Sequence, residues 1–301
     1  MAVIGQESPS LDRRDFMTRR QSDISEIGYW SEVKIEIIRD YASAYSKILT
    51  AQTKPRIEHV YIDGFSGSGV HIAKGTKDLV WGSPTSVMLI DPPFREYHFI
   101  DLDEGNIESL REMVNSRTMG PYDPKTVHCY SADCNKVLLA DVFPRVRYED
   151  YKRALCLLDP YGLHLDWQVI QQAGNMKSVE IFLNFPILDM NRNVLHHDPS
   201  SVEPEQAHRM TRYWGDESWR DIGYSTTGNL FGFEEKTNNQ VVVNAFRDRL
   251  RKVAGFACVP EPAAMRNSKG AIVYYLMFAS QKPVAANIVK QIFEKHRDRQ
   301  V

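Results

Sequence analysis

The sequence is poor in cysteine and has no long apolar run, and these two shortages argue against a metal or disulfide framework and against a membrane-spanning segment. Its 301 residues include only four cysteines. They lie at Cys129, Cys134, Cys156 and Cys258. These thiols form neither the paired spacing of a zinc site nor a disulfide framework. No apolar run approaches the roughly eighteen residues that span a bilayer. We therefore expect a cytoplasmic protein with no metal centre and no membrane segment.

A strong excess of charge is also lacking. The chain carries 37 Lys and Arg residues against 39 Asp and Glu residues, a formal net charge of -2. This balance gives no overall attraction to phosphate backbones, so binding of a nucleic acid would need a local basic patch. A hydrophobic content of 43% and a charged content of 25% are ordinary for a globular protein with one large core. Composition therefore leaves both an enzyme and a binding module open.

The chain divides into a short tail and one long domain. Residues 1–23 are polar and mildly basic, and we interpret them as a disordered tail. Residues 24–301 form the domain, which begins with a long amphipathic helix between Trp30 and Leu49. Within the domain, residues 187–240 are rich in Arg, His, Trp and Gly, and we interpret them as a helical insertion or lid.

Five short apolar runs alternate with helix-like segments, and a polar residue closes each run. These residues are Asp63, Asp101, Asp133, Asp159 and Asn184. The β-α-β-α order predicts a mostly parallel sheet with helices on both faces. In such a sheet the carboxyl ends of the strands lie at one edge, where ligands bind. The sequence therefore predicts that these polar side chains form one site.

A glycine-rich turn, Asp-Gly-Phe-Ser-Gly-Ser-Gly, follows the first apolar run at residues 63–69. Glycine allows the backbone to approach a ligand closely. Asp101 is placed to accept hydrogen bonds from ribose hydroxyls, and Asp133 from the exocyclic amine of an adenine. Such contacts suit an adenosine cofactor. The candidate cofactor-binding residues are Asp63, Phe65, Gly67, Gly69, Asp101 and Asp133.

Two other nucleotide-binding patterns fit the turn less well. Dinucleotide sites require G-x-G-x-x-G or A, whereas here Ile72 occupies the third position. A phosphate-binding loop requires Gly-Lys-Ser or Gly-Lys-Thr, and neither follows the turn. The pattern therefore favours an adenosine cofactor that is neither a nicotinamide dinucleotide nor a nucleotide held by a phosphate-binding loop.

Seven segments of the chain resemble the three-Cys-motif partner proteins, TcmP. They are WSEVK at residues 30–34, YIDGFSG at 61–67, GSP at 82–84, FIDLD at 99–103, LDPYG at 158–162, NFPI at 184–187 and YYLMFAS at 274–280. The resemblance covers nearly everything after the tail. It implies the Rossmann-like fold of class I S-adenosylmethionine-dependent methyltransferases, with a mostly parallel seven-stranded sheet whose last strand is antiparallel. It also implies a three-cysteine-motif protein as partner.

Two segments compete for the place where a methyl group would be transferred. Methyltransferases that act on the amines of adenine or cytosine carry Asp or Asn, Pro, Pro and an aromatic residue after the fourth strand. Residues 91–94, Asp-Pro-Pro-Phe, match this pattern literally but precede a strand, which places them at the opposite edge of the sheet. Residues 159–162, Asp-Pro-Tyr-Gly, follow the fourth strand. We therefore assign the catalytic role to Asp159, Pro160 and Tyr161.

These assignments lead to a functional prediction with one rival. The carboxylate of Asp159 would accept a hydrogen bond from an amine, the ring of Tyr161 would stack on a base, and Asn184 would contact the substrate. We predict an S-adenosylmethionine-dependent methyltransferase whose acceptor is a nucleobase amine in nucleic acid. The alternative is a catalytically silent methyltransferase-like module that binds a nucleotide or S-adenosylmethionine and holds a three-cysteine-motif partner protein.

Overall fold

The structure is a computed structural model that describes residues 26–116, 120–225, 235–267 and 269–297. The tail that we interpreted at residues 1–23 lies outside the described residues, and so do residues 226–234 of the interpreted insertion. Among the described residues, no helix combines the length and the apolar character that crossing a membrane demands.

Seven strands form one sheet, and their order defines the fold class. They are β1 (Glu58–Asp63), β2 (Glu96–Asp101), β3 (Val127–Ser131), β4 (Lys152–Leu158), β5 (Val179–Phe185), β6 (Ala263–Arg266) and β7 (Ile272–Ala279). Their spatial order is β6-β7-β5-β4-β1-β2-β3. Strands β1 to β5 pair in parallel, whereas β7 runs antiparallel to both β5 and β6. This arrangement confirms the predicted Rossmann-like, methyltransferase-like sheet with an antiparallel last strand.

The central strands form because their side chains are buried on both faces of the sheet. In β4, residues 154–158 are all at most 1% exposed, and Val60, Tyr61 and Ile62 of β1 are equally buried. A parallel strand covered on both faces is an almost continuous apolar run, as these sequences are. Burial of the apolar runs therefore fixes β1 and β4 at the centre of the sheet.

Ten α-helices surround the sheet in the described part of the chain. They are α1 (Tyr29–Ala51), α2 (Ser83–Met88), α3 (Glu104–Ser116), α4 (Cys134–Val137), α5 (Trp167–Met176), α6 (Ile187–Asn193), α7 (Pro204–Trp214), α8 (Trp219–Gly223), α9 (Asn239–Lys252) and α10 (Pro283–Lys295). One core joins the sheet to α1, α2, α3 and α10, and a second core joins it to α4 to α9. The predicted helices on both faces are therefore confirmed.

The described part of the interpreted insertion belongs to the second core. Tyr213 and Trp214 of α7 and Trp219 of α8 are at most 1% exposed. Phe246 of α9 contacts this aromatic group, with ring centroids 5.5 Å from Tyr213 and 5.2 Å from Trp214. The described part of the segment is mostly helical, and its buried aromatic side chains stabilise the core on one face of the sheet.

Helix α1 crosses the opposite face and reaches both edges of the sheet. Lys34, Ile38, Tyr41 and Tyr45 recur at helical spacing, so they lie on one side of the helix, and all four are buried. Tyr41 packs edge-on against Phe278 of β7 at 4.8 Å between ring centroids. The lysine at the start of this apolar stripe therefore extends into the protein.

Candidate functional site

The polar residues that close the strands lie at what we call the carboxyl edge of the sheet. Strands β2, β1, β4 and β5 are successive neighbours, so their ends at Asp101, Asp63, Leu158 and Phe185 share this edge. Tyr61, Leu157 and Phe182 all contribute to the core beneath α1. Because side chains two residues apart on a strand share a face, Asp63 and Asn184 project toward α1. Asp159 directly follows β4 and lies two residues after Leu157, so it projects toward the same face.

Asp63 ends β1 and is completely buried. The hydroxyl of Ser83 donates to its Oδ2 at 2.6 Å, and the N–H of Phe65 donates to its Oδ1 at 3.3 Å. Burial is the main reason that the pKa of this carboxyl rises to about 7, and the charge of Asp159 adds to the rise. Asp63 therefore anchors the glycine-rich turn from inside the protein.

Asp101 ends β2 and holds the same turn from the solvent side. Its Oδ2 accepts the N–H of Gly67 at 2.8 Å. Its Oδ1 accepts the N–H of Asp103 at 2.9 Å and the side-chain amide of Asn106 at 3.2 Å. A carboxylate offers about four lone-pair positions, so three donors leave room for one more hydrogen bond.

The two glycines of the turn differ in what surrounds them. A Cβ on Gly67 would have only the His71 ring as a near neighbour, at 3.8 Å, so the space beside this residue is open. A Cβ on Gly69 would lie 2.7 Å from Leu110 and 2.9 Å from the Thr85 hydroxyl. Ligand approach can therefore account for Gly67, whereas protein packing accounts for Gly69. Phe65 is half-buried and packs against the core of α4 to α9.

Asp133 lies two residues beyond β3 and caps helix α4. Its Oδ1 accepts the N–H of Asn135 at 2.9 Å and the side-chain amide of the same residue at 3.2 Å. None of the hydrogen bonds among the described residues uses its Oδ2. One carboxylate oxygen therefore keeps its capacity to accept a donor such as an exocyclic amine.

Asp159 forms an ion pair with Lys34, which our sequence reasoning left without a role. The Lys34 ammonium donates to Asp159 Oδ2, and it also lies 5.3 Å from the centroid of the Tyr274 ring. Burial is the largest single influence and lowers the pKa of Lys34, but the charge and hydrogen bond of Asp159, together with Tyr274 and Asp63, outweigh burial and raise this pKa. A lysine within the apolar stripe of α1 is the signal that could have revealed the pair.

His71 is a further residue that the sequence reasoning missed. It lies in the short strand Val70–Ala73, and its ring faces the open side of Gly67. Burial and then the charge of Lys34 lower the pKa of His71 to about 4. This imidazole is therefore neutral at physiological pH.

The other two predicted catalytic residues differ sharply in exposure. Pro160 is buried, whereas the side chain of Tyr161 is 90% exposed. The turn continues into Gly162, where an added Cβ would lie 2.9 Å from Asp189 Oδ2 of helix α6. The Tyr161 ring therefore extends from a turn that packs closely on α6.

Asn184 places a buried amide at the same edge. The side chain is 9% exposed, and its Oδ1 has no hydrogen-bond partner among the described residues. Buried acceptors without a donor are rare, because the loss of hydration is not compensated. A hydrogen-bond donor of a bound ligand would give Oδ1 of Asn184 the partner that it lacks among the described residues.

The competing Asp-Pro-Pro-Phe segment lies at the opposite edge of the sheet. It precedes β2, and Phe94 is 3% exposed within the core. The Ser46 hydroxyl of α1 donates to the carbonyl of Pro92 at 2.5 Å. The segment therefore lies where the sequence predicted it, away from the carboxyl edge.

Comparison with known proteins gives no family for this chain. No protein-family model matches it, and no curated protein matches it. Solved structures that are similar include protein LPL1258 of Legionella pneumophila, from family DUF519, with a TM-score of 0.48 and 10% identity over 87% of this chain and 90% of that chain. The methyltransferase domain of bacterial CtHen1 has a TM-score of 0.38 and 10% identity over 81% of this chain and 99% of that domain. A possible exported protein of Bordetella parapertussis has a TM-score of 0.36 and 11% identity over 81% of this chain and 66% of that chain. These three TM-scores are below 0.5, and the fold class of this protein rests on its own strand order.

Proposed function

We propose that this protein is an S-adenosylmethionine-dependent methyltransferase whose acceptor is a nucleobase amine in nucleic acid. The observation that carries the proposal is the group of acceptors at the carboxyl edge on the α1 face. Asp159 is fixed there by Lys34, and the buried Oδ1 of Asn184 lacks a donor among the described residues. A primary amine has two N–H groups and suits such a pair of acceptors.

The residues around the glycine-rich turn fit an adenosine cofactor. Asp101 retains one position for a ribose hydroxyl, the space beside Gly67 is open, and Asp133 retains Oδ2 for an adenine amine. When bound, S-adenosylmethionine supplies an electrophilic methyl group. We assign its binding to Asp101, Asp133 and Gly67, with Asp63, Phe65 and Gly69 shaping the turn from within.

The chain itself would position the acceptor. Among the described residues, Lys34 donates to Oδ2 of Asp159 and no hydrogen bond uses Oδ1, so Oδ1 is open to an amine. An acceptor carboxylate of this kind directs the nitrogen lone pair toward the methyl group, and such orientation supplies much of the acceleration of a displacement reaction. The exposed ring of Tyr161 would stack on the base, as aromatic side chains do in proteins that bind single-stranded nucleic acid.

Calorimetric titration with S-adenosylmethionine tests the cofactor assignment. We expect saturable binding that Asp101→Ala abolishes, because the substitution removes both the ribose acceptor and the contact that holds Gly67. Glu108→Ala removes one exposed carboxylate from the neighbouring helix α3 and should leave the affinity unchanged. Absence of binding to the wild-type protein would refute the proposed cofactor.

Transfer of a radiolabelled methyl group to RNA or DNA tests the reaction. Asp159→Ala should abolish transfer while S-adenosylmethionine still binds, because Asp159 is assigned to the acceptor. Transfer that continues at the wild-type rate in the Asp159→Ala protein would contradict the assigned role.

One observation favours the rival, a catalytically silent module. Lys34 already occupies one oxygen of Asp159, and a structural ion pair would leave the same geometry. In that case S-adenosylmethionine would bind without turnover on any nucleic acid, and the domain would serve to hold a three-cysteine-motif protein. Co-purification with such a protein, followed by the same transfer assay on the complex, distinguishes a silent module from an enzyme that needs its partner.

A further inference from the structure

A cavity lies at the edge of the sheet opposite to the carboxyl edge. It has a volume of about 610 Å³ and lies between the end of α1, the first residues of β4 and β5, and the start of α10. Cavities of roughly 300–1,000 Å³ are the usual size for small-molecule sites. We call it the amino-edge cavity.

Apolar side chains form most of its lining. Four of the large hydrophobic residues that the described surface exposes border the amino-edge cavity: Ile48, Tyr148, Tyr151 and Val284, each between 39% and 58% exposed. Leu49 and Ile57 continue the lining inward. Exposed apolar side chains that are clustered in one cavity indicate a binding surface, whereas apolar residues scattered singly over a surface do not.

A buried tyrosine hydroxyl also belongs to the lining. Tyr45 lines the amino-edge cavity, and its Oη is shielded from water and unpaired among the described residues. Glu180 does not satisfy it, since its two oxygens accept the hydroxyls of Tyr41 at 2.5 Å and Ser280 at 2.8 Å. The charges of Glu180 and Arg153 both influence the pKa of Tyr45, which burial raises well above its usual value. The hydroxyl therefore lies beside charged groups that are already occupied.

The lining of the cavity carries one more positive than negative side chain. Arg153, Lys177 and Lys282 border the amino-edge cavity, against Glu149 and Glu180. Burial raises the pKa of Glu180, which shifts this carboxyl toward its neutral form. Neither Lys177 nor Lys282 forms an ion pair among the described residues. Arg153 is held in place, because its guanidinium stacks 3.5 Å above the Tyr148 ring and donates to two backbone carbonyls.

We propose that the amino-edge cavity is a binding site for a small amphipathic anion, with an aromatic or aliphatic body and a carboxylate, sulfonate or phosphate group. The body would replace water against Ile48, Leu49 and Val284, and the anionic group would lie between Lys177 and Lys282. A polar atom of the ligand would give the Tyr45 hydroxyl its missing partner. This site is separate from the carboxyl edge and does not depend on the function proposed above.

Two fluorescent probes with the same ring system test this proposal on the full-length protein. Anilinonaphthalene sulfonate carries the anionic group, whereas N-phenylnaphthylamine lacks it. We expect saturable binding of one sulfonate probe per chain, weakened by about tenfold in Lys177→Gln/Lys282→Gln, which is the effect of about 1.4 kcal/mol. Tyr45→Phe should weaken it by roughly fivefold, the usual effect of one hydrogen bond. Tyr45→Phe keeps the ring in place, so loss of folding is not expected.

Lys290→Gln is the matched control, because Lys290 is an exposed lysine on α10 that does not border the cavity. It should leave the affinity unchanged, and the neutral probe should respond little to either lysine change. Saturating S-adenosylmethionine should not displace the sulfonate probe, because the two sites lie at opposite edges. Non-saturable binding, equal affinity for the two probes, or an affinity that the double lysine variant leaves unchanged would overturn the proposal.

Discussion

Removal of the Lys34 charge should destabilise the protein strongly. Lys34→Met keeps a long apolar stem in the stripe of α1, but it leaves Asp159 without its cation at a place where the two side chains are 9% and 24% exposed. Breaking a buried ion pair costs about 3–5 kcal/mol. Because Asp159 retains some contact with water, we expect a loss of about 3 kcal/mol in the free energy of unfolding at pH 7.5.

A double-mutant cycle separates the pair from the packing of each side chain. Asp159→Asn leaves a buried ammonium and should also cost about 3 kcal/mol, whereas Lys34→Met/Asp159→Asn removes both charges and should cost less than the sum by about 2 kcal/mol or more. Unfolding in urea, followed by circular dichroism, measures all four proteins. Lys47→Met replaces an exposed lysine of the same helix and should change stability by less than about 0.5 kcal/mol.

The pH dependence gives a second test of the same reasoning. Lys34 lowers the pKa of Asp63, so its removal moves that pKa further above the unfolded value. The folded variant then retains this proton at a higher pH, and the destabilisation should become smaller as pH falls from 8 to 5. Additive free energies in the cycle, together with a cost independent of pH, would refute the claim that the ion pair contributes beyond its packing.

Three more predictions concern the carboxyl edge. The pKa of Asp63 is about 7 in the folded protein against an ordinary value of 3.8, so between pH 4 and pH 7 the folded state holds a proton that the unfolded state has lost. The free energy of unfolding should therefore fall by up to about 4 kcal/mol as pH rises from 4 to 7. Asp63→Asn should flatten this pH profile, as measured by urea unfolding. Gly69→Ala should lower the free energy of unfolding by about 2–4 kcal/mol, because φ is +78° at this residue and the added Cβ would lie 2.7 Å from Leu110. Gly67→Ala adds only backbone strain and should lower it by about 1 kcal/mol. Equal losses in the melting profiles would contradict this difference. Tyr161→Ala should change the free energy of unfolding by less than about 0.5 kcal/mol, because the side chain is 90% exposed. The same substitution should lower the rate of methyl transfer to nucleic acid about tenfold. An unchanged transfer rate would exclude stacking by Tyr161.

The centre of the sheet was predictable from the chain because β1, β4 and β5 are largely buried on both faces. Burial makes their apolar runs nearly continuous, and each run is followed by a polar residue because the strand ends at the carboxyl edge. The residues within 187–240 were harder to interpret, because Arg, His and Trp suggest a surface segment, whereas Trp214 and Trp219 lie in the core.

The Lys34–Asp159 pair shows why the site itself was only partly predictable. The two residues are 125 positions apart, and periodicity within α1 does not reveal which strand a side chain will meet. Gly67 and Gly69 illustrate a related limit, since both have positive φ in the same turn. Only the neighbouring side chains distinguish open space from close packing, and those neighbours come from α3 and α2.

The place of β7 in the sheet affects the order in which a ribosome-bound chain can complete the fold. Strand β6 is synthesised before β7, yet β7 lies between β6 and β5 and pairs with both. Until residues 272–279 leave the ribosome, β6 therefore has no partner among the described strands, and the edge of β5 remains open. Exposed strand edges favour aggregation during synthesis. Helix α10 follows β7 and packs against α1, so two helices that are far apart in the sequence cover the same face of the nascent domain.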